Sequence, residues 1–289
     1  MLSQDFRALG IGKGDFLCIH SSMSRCGFVT GGAEAVITSF KEVVGDAGTL
    51  MVPTFTGGNS TLNYLKTNPP PFDVALTPCT TGKINEIFRQ MPGAVRSHHP
   101  THSVSAWGRL AQVLVKDHHL SQTPFGPHTP YARLVENKGK VVLINVNANS
   151  LVHHIHELVD WPGNYLENEF PMTIMLNGEP VKVTTKVHAP GSGYIALPGE
   201  EPNTVAKVHF PDYALPFCLN EKNRLDFEKV HKNVKLALDE RFQFFLDSGI
   251  VKIGPFGYGQ AAVIRAFEFS DKLRQDLVSH LEKYPEYCA

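Results

Sequence analysis

The stretch that decides the fold is "DFLCIHSS" at residues 15–22, which predicts a β-strand ending in two serines. In residues 33–44, which follow, apolar side chains recur about every 3.6 positions and predict an amphipathic helix. A second apolar strand comes next, "GTLMVPTF" at 48–55. Because strand, helix and strand succeed one another over such a short distance, we expect the two strands to lie parallel in one sheet.

Helices and strands continue to alternate beyond this unit. The predicted segments are a long loop at 56–80, a helix at 82–91, a strand at 103–107, a helix near 108–117, a loop at 121–130, a helix at 130–137 and a strand at 140–146. Such alternation is typical of α/β proteins with helices on both faces of a sheet. We therefore expect a layered α/β/α core with a mixed, largely parallel sheet.

The pattern changes after Trp161. The segment "FPMTIMLNGEPVKVTTKVH" (170–188) predicts a β-hairpin with Asn177-Gly178 as its tight turn. We interpret residues 165–215 as an inserted β-containing subdomain that shapes a pocket, within a single domain of residues 1–289. Helices predicted at about 223–247 and 260–283 would return the chain to the core.

Composition excludes several classes of protein. The net charge of the 289 residues is -1, so no global field favours nucleic acid or an anionic membrane. The apolar runs are too short to span a bilayer, and the N-terminus lacks the apolar segment of a signal peptide. The five cysteines form no C-x-x-C pair, which favours reduced thiols and a cytoplasmic location.

A cluster of histidines and carboxylates stands in "LVHHIHELVDW" at 151–161. One interpretation is a metal site that uses His153 with His156, or His156 with Asp160, and a further histidine from elsewhere. Helical zinc sites of the H-E-x-x-H type need two histidines four residues apart, and this cluster has no such pair. The metal interpretation is therefore unspecific, although the spacing does not eliminate it.

A second interpretation of the cluster is an acid–base pair. His154 and Glu157 are three apart and would face the same side of a helix, where the carboxylate could accept the imidazole N–H and raise its basicity. The other ring nitrogen could then accept a proton from a nucleophile. The cluster follows a buried strand, where open α/β sheets place their ligand crevice. A third interpretation is a solvated helix end that happens to be rich in histidine.

Six segments together carry a resemblance that covers almost the whole chain. They are "HSSMSRCGFVTGGAEAV" (20–36), "VVGDAGTLMVPTFTG" (43–57), "RQMPGAVRSHHPTHSVSAWG" (89–108), "TPFGPHTPYARL" (123–134), "KVVLINVNANSLVHHIHE" (140–157) and "GIVKIGPFGYGQAAVIRA" (249–266). In this order they resemble the antibiotic N-acetyltransferase family, the aminoglycoside 3-N-acetyltransferases and their relatives. The resemblance implies a metal-free enzyme that transfers an acetyl group directly from acetyl-CoA to a primary amine of a small molecule.

The resemblance also implies roles for individual residues. The family's H-x-x-E pattern falls on His154 as general base and on Glu157 as its orienting partner. The expected acetyl-CoA contacts are Ser21, Ser22, Ser24, Gly31, Gly32, Arg96 and Thr129, with Arg96 chosen by its charge. The expected contacts to the amine are His99, His156, Asp160 and Glu167.

Departures from the family pattern bear on the acceptor. Asn145 stands where the family usually has glycine, and His156 replaces a usual alanine. The segment after Asp160 is not clearly acidic, so the acceptor is either an aminoglycoside-like antibiotic or another amine such as a natural-product intermediate. Two other classes stay open, a metal-dependent hydrolase and a non-catalytic CoA-binding protein. No nucleic acid or membrane partner is expected, and a homodimer is left open.

Overall fold

The computed structural model describes residues 2–58, 60–146, 149–161, 164–188, 194–195, 208–209, 244–257 and 259–283. Its strands are β1 (Phe16–Ser21), β2 (Thr49–Pro53), β3 (Val95–Arg96), β4 (Val104–Gly108), β5 (Lys140–Ile144), β6 (Phe170–Leu176), β7 (Glu179–Thr185), β8 (Tyr194–Ile195), β9 (Val208–His209), β10 (Val251–Phe256) and β11 (Gly259–Arg265). Its helices are α1 (Leu2–Ala8), α2 (Gly32–Val44), α3 (Thr61–Lys66), α4 (Lys83–Gln90), α5 (Ala111–Val115), α6 (Pro130–Glu136), α7 (Leu151–Leu158) and α8 (Ala266–Lys283).

The main sheet runs in the order β10-β11-β5-β1-β2-β4-β3. Its centre is parallel, because β1 pairs in parallel with both β2 and β5, as the strand–helix–strand pattern predicted. Antiparallel strands flank this centre on each side. The prediction of a mixed α/β sheet is confirmed.

Two helical layers cover the sheet. Along β1 the buried side chains alternate between the two faces, with Phe16 and Cys18 in one apolar cluster and Leu17 and Ile19 in the other. Helices α1, α2 and α4 pack on one another on the second face, and α5, α6, α7 and α8 are similarly connected on the first. The expected α/β/α layering is therefore present.

Two predicted segments differ from the structure. The predicted loop at 56–80 contains the short helix α3, whose N-terminus is capped by Ser60 accepting from the Asn63 N–H. Residues 260–265 belong to strand β11 rather than to a helix, which begins only at Ala266. A short run such as "AAVI" (261–264) is apolar on every side, so its periodicity cannot separate a buried strand from a buried helix. The predicted helix from 223 lies outside the described residues up to 243.

The predicted hairpin is present as β6 and β7, with Leu176 opposite Glu179 across the Asn177-Gly178 turn. Both turn residues have positive φ, which is the reason that Asn-Gly is favoured there. The hairpin attaches to the rest of the domain through a bridge between Phe72 and Ile174, and the two segments that flank it pair with each other at Tyr165 and His188. Within residues 165–215 the structure also describes the short pair β8 and β9.

The topology brings two functional segments to one edge of the sheet. Because β1 and β5 are parallel, their carboxyl ends lie side by side, with Ser21 opposite Ile144 and the Ser22 N–H donating to the Ile144 carbonyl at 3.0 Å. Residues 21–32 leave this edge from β1, and α7 follows β5. None of the helices in the described part of the chain combines the length and the apolar character that a membrane span requires.

Candidate active site

His154 lies on the buried face of α7, with 3% of its surface exposed. Its Nδ1 is 2.6 Å from the carbonyl oxygen of Phe125. A carbonyl can only accept, so Nδ1 carries the proton and donates it to this bond. In the neutral ring the lone pair is therefore on Nε2, for which the described residues provide no hydrogen-bond partner. The arrangement fixes the tautomer that a general base needs.

Burial lowers the pKa of His154 below its ordinary value of 6.5, and the Phe125 carbonyl partly opposes this effect. The sequence predicted the opposite direction, a pKa raised by the neighbouring carboxylate. The difference arises because the imidazole is enclosed in the core and its N–H is used by a carbonyl. His154 is consequently neutral near pH 7 and able to accept a proton.

Glu157 is three residues from His154, but its carboxylate contacts other groups. It accepts from the Thr123 hydroxyl at 2.6 Å and from the Tyr165 hydroxyl. Burial raises the pKa of Glu157, and the bonds from Thr123, from Tyr165 and from the Phe125 N–H act in the opposite direction. The predicted direct bond between Glu157 and the imidazole is thus replaced by bonds to the segment that precedes α6.

The main chain of one residue, Phe125, connects the two predicted residues. The Phe125 N–H favours the Glu157 carboxylate, while the Phe125 carbonyl accepts from His154. Gly126 is required beside it, because a Cβ there would lie 2.4 Å from Thr123 Oγ1 and 2.8 Å from Glu157 Oε2. We call His154, Glu157, Thr123, Phe125 and Tyr165 the base cluster.

Rings pack around the base cluster. Phe125 lies 5.1 Å from the His153 ring, which lies 4.4 Å from the His188 ring, and Tyr165 stacks on His188 at 4.5 Å. His156, which the sequence assigned to amine binding, is fully buried and stacks on Trp161 at 5.5 Å. Through these contacts the segments that carry Tyr165 and His188 are packed against α7.

A second group of buried histidines supports the loop that carries Phe125. His118 accepts from the Ser97 hydroxyl at 2.9 Å and donates to the Pro124 carbonyl at 3.2 Å. His99 is fully buried against the His118 ring at 4.7 Å, and its Nδ1 accepts from the His102 N–H at 3.0 Å. Burial lowers the pKa of His99 well below 6.5 and that of His118 to about 3.

The predicted acetyl-CoA contacts near the N-terminus lie together after β1. Ser22 and Ser24 have hydroxyl oxygens 3.2 Å apart, and Ser21 ends the strand. Gly31 caps α2 with φ of 81°, and Gly32 follows with φ of 61°. They begin a 13-residue helix, and a helix N-terminus favours negative charge.

The other two predicted acetyl-CoA contacts have internal partners. Arg96 is buried and donates to the Ser103 hydroxyl at 3.0 Å and to the carbonyls of Thr54 and Thr77. Thr129 is fully buried, donates to the Gly126 carbonyl at 2.7 Å and caps α6. Thr129 thereby supports the turn that follows Phe125.

Known proteins match this chain over most of its length. The family model for aminoglycoside 3-N-acetyltransferases matches residues 18–275. The chain belongs to this family. It is 38% identical over 197 residues to aminoglycoside N(3)-acetyltransferase VII of Streptomyces paromomycinus and 35% identical over 190 residues to the type VIII protein of Streptomyces fradiae. These alignments cover 62% and 60% of this chain, and 67% and 65% of the two relatives.

The fold agrees with the family. The structure of AAC-IIIb in a binary complex with CoASH superimposes with a TM-score of 0.72 at 22% identity, covering 96% of this chain and 95% of the other. Membership of an acyltransferase family gives no support to the metal-dependent hydrolase or the non-catalytic CoA-binding protein. Within the described residues, no group of three or more His, Cys, Asp or Glu side chains could hold a metal ion.

The departure at Asn145 from the family's usual glycine has a structural explanation. Its φ is 51°, in the left-handed region that glycine and asparagine tolerate. Its side chain accepts from the Gln260 N–H at 3.0 Å and occupies the space above Gly259, where a Cβ would lie 2.2 Å from it. Gly259 on the neighbouring strand β11 thus leaves the space that the Asn145 side chain occupies.

The remaining predicted residues, Asp160 and Glu167, are exposed near the end of α7 and after it. Three members of the base cluster were not predicted: Thr123, Phe125 and Tyr165. Thr123 and Phe125 lie in a segment that carried the family resemblance, but the contribution of Phe125 is a backbone carbonyl, which no residue type signals. Tyr165 follows the catalytic helix closely, yet only the fold shows that its hydroxyl turns back to Glu157.

Proposed function

We propose that the chain transfers the acetyl group of acetyl-CoA to a primary amine of a small molecule, with an aminoglycoside as the first acceptor to test. The family match and the names of the relatives support the reaction class. The observation that carries the mechanism is the 2.6 Å bond from His154 Nδ1 to the Phe125 carbonyl. It leaves Nε2 with a lone pair on a helix at the edge of the sheet where ligands of α/β proteins bind.

His154 acts as the general base in this proposal. Acetyl-CoA supplies an acyl thioester, from which the amine takes the acetyl group while CoA leaves as the free thiol. An imidazole with a lowered pKa is a weak base toward an alkylammonium, whose pKa is about 10. The ammonium therefore loses its first proton to solvent, and the amine attacks in its neutral form. We assign the proton transfer to His154 to the moment when the nitrogen–carbon bond forms, because the nitrogen is then far more acidic. His154 accepts that proton at Nε2 and passes it on to the departing sulfur.

Glu157 acts as a positioning residue. Its bonds to Thr123 and Tyr165 hold the segment that presents the Phe125 carbonyl to His154. In this way the carboxylate controls the orientation of the imidazole without contacting it. Glu157 has no direct contact with the amine in this proposal.

Residues 21–32 are the proposed acetyl-CoA contacts. Ser21, Ser22 and Ser24 offer hydroxyls at the end of β1, and Gly31 and Gly32 place no side chain at the start of α2, where free helix N–H groups favour an anion. The Gly32 N–H itself donates to the Val29 carbonyl at 2.9 Å. Thr129 and Arg96 remain predictions for the same ligand. For Arg96 the charge alone supports the assignment, because its N–H groups already donate to protein carbonyls and to the Ser103 hydroxyl.

The proposed acceptor side lies after His154. Asp160 and Glu167 are exposed carboxylates that could contact an ammonium group, and residues 165–215 are proposed to shape the pocket. His99 and His156 are buried and would act through the shape of the cavity walls. The cytoplasmic location and the question of a homodimer stay predictions from the sequence.

The test uses the full chain with acetyl-CoA and a panel of aminoglycosides and simple primary amines. Release of free thiol is followed, and the products are weighed by mass spectrometry. The expected result is thiol release that depends on an amine and yields a product carrying one acetyl group. Binding of acetyl-CoA without transfer to any amine in the panel would contradict the proposal.

A further inference from the structure

A cavity of about 670 Å³ opens at the outer edge of the sheet, beside β3. Its walls come from separate parts of the chain: the loop at Val74 and Ala75, helix α4 at Arg89, strand β3, helix α5 and residues 116–119. Between β5, which leads to the catalytic helix, and β3 there are four strand spacings, roughly 19 Å. This edge cavity is therefore distinct from the base cluster.

The charge of the edge cavity is positive. Arg89, Arg96 and Lys116 line it, and Asp117 is the acidic residue among its lining residues. Arg89 is paired with Glu86 at 2.6 Å, but Arg96 donates only to neutral oxygens among the described residues. Burial lowers the pKa of Arg96 to about 10, so it stays charged at pH 7. The lining of the cavity thus includes one positive charge, on Arg96, that no carboxylate contacts.

Several polar groups in the edge cavity are unused. His98 and His119 face each other at 6.1 Å, edge to face, and neither makes a hydrogen bond among the described residues. Gln112 likewise makes none, and the Lys116 ammonium is 3.9 Å from Asp117 in an exposed pair that is worth little. Four side chains able to donate hydrogen bonds therefore converge on one cavity without strong protein partners.

We propose that the edge cavity binds a phosphate group or a similar oxyanion. Hydrogen-bond donors beside a guanidinium that no carboxylate contacts fit an oxyanion, although Asp73 and Glu86 act on the Arg96 charge from a greater distance. The phosphate could belong to acetyl-CoA, through the 3′-phosphate of its nucleotide, or to a separate ligand. Binding of an oxyanion stands independently of the acetyl transfer proposed above, and only its assignment to acetyl-CoA rests on that function.

The test compares Lys116→Gln with Lys13→Gln in the full chain. Both substitutions remove one exposed lysine charge, but Lys13 does not line the cavity. Calorimetry measures the binding of inorganic phosphate, CoA and dephospho-CoA in a phosphate-free buffer. Loss of one charge-assisted hydrogen bond should weaken the bound phosphate by roughly tenfold or more. His119→Gln provides a second variant at a residue that lines the cavity.

The results distinguish the two sources. If the cavity holds the 3′-phosphate, Lys116→Gln weakens binding of CoA and leaves that of dephospho-CoA unchanged. If it holds a separate ligand, inorganic phosphate binds the wild-type chain, the variant loses that binding, and CoA binds both equally. The proposal is overturned if none of the three ligands distinguishes Lys116→Gln from the wild type, or if Lys13→Gln has the same effect. None of these titrations requires an amine, so failure of the acetyl transfer would be seen separately.

Discussion

The base cluster and the edge cavity are both rich in hydrogen-bonding side chains, but they differ in how those groups are used. In the base cluster Glu157 accepts from two hydroxyls and the His154 N–H is bound to a carbonyl, leaving the His154 Nε2 open. In the edge cavity His98 and His119 make no hydrogen bond among the described residues. A general base needs one fixed orientation, whereas a binding wall can leave its donors to the ligand. The two sites thus differ in whether their polar groups already have hydrogen-bond partners within the protein.

The largest expected effect is at His154. His154→Ala removes the atom that accepts the amine proton, and we expect kcat to fall by roughly 10²–10⁴-fold. Binding of acetyl-CoA, measured by calorimetry, should be retained because the substituted side chain is not one of its proposed contacts. Steady-state kinetics with thiol detection provide the measurement.

His128→Asn is the matched control for this prediction. His128 is exposed, and its φ of 66° is one that asparagine tolerates, so the variant should fold and keep the activity of the wild type. Full activity in His154→Ala would contradict the proposal that the base cluster takes part in acetyl transfer. The proposed difference in role between the base cluster and the edge cavity would then have no support.

A smaller loss is expected when the support of the base is weakened. Tyr165→Phe and Glu157→Gln should each lower kcat by roughly 10–100-fold, because small displacements of a catalytic group are costly. The double variant should lose less than the product of the two, since both act on one segment. The Phe125 carbonyl raises the pKa of His154, so loosening that segment should move the acid limb of kcat/KM to lower pH.

This pH shift separates positioning from general damage. A residue that only stabilises the fold would lower the amount of active protein without moving the pH profile. Independent, multiplicative losses in the double variant with an unchanged acid limb would mean that Glu157 does not act through Phe125.

The pH dependence of stability tests the buried histidines. The pKa of His118 is about 3 in the folded chain and 6.5 ordinarily, so the native state binds fewer protons between these values. Its contribution to the free energy of unfolding is complete above pH 6.5 and is lost as the pH falls, at about 1.4 kcal/mol per pH unit. Between pH 7 and pH 5 the wild type should therefore lose about 2 kcal/mol more than His118→Gln. Urea unfolding at both values measures this difference, and equal losses would contradict it.

The smallest effect is expected at the edge cavity. His119→Gln should change the free energy of unfolding by no more than about 0.5 kcal/mol in phosphate-free buffer, because the ring makes no hydrogen bond among the described residues. Urea unfolding at pH 7 gives the measurement. A loss of about 2 kcal/mol would show that His119 stabilises the fold. The polar groups of the edge cavity would then not be free for a ligand, and the proposed difference between the two sites would be contradicted.

The sequence was sufficient for the central fold. The apolar strands around residues 15–55 and the turn at Asn177-Gly178 have local signals, namely periodicity and a dipeptide that favours positive φ. The start of the predicted helix at 260–265 is strand β11, because its run "AAVI" is apolar on every side and shows neither a helical nor a strand period. The strand is identified only by its pairing with β10 and β5.

Only part of the candidate site was predictable, because some of its contacts leave no pattern in the local sequence. His154 and Glu157 could be selected from their spacing on one helix, and the structure places both on α7. The bond that orients His154 comes from a main-chain carbonyl 29 residues earlier, which every residue type possesses. Arg96 illustrates the reverse case, in which a charge suggested a ligand contact while the fold directs its N–H groups to internal carbonyls.

The turn of the hairpin between β6 and β7 is also a site where the chain can deamidate slowly. Asn177 and Gly178 are exposed, and glycine leaves the following backbone nitrogen unhindered to attack the asparagine side-chain carbonyl. Ammonia leaves as the succinimide forms, and water then opens the ring to aspartate or isoaspartate, which adds a negative charge at the tip of the hairpin. Isoaspartate lengthens the backbone by one carbon at the tight turn, so stored preparations should accumulate a more acidic form with a loosened hairpin.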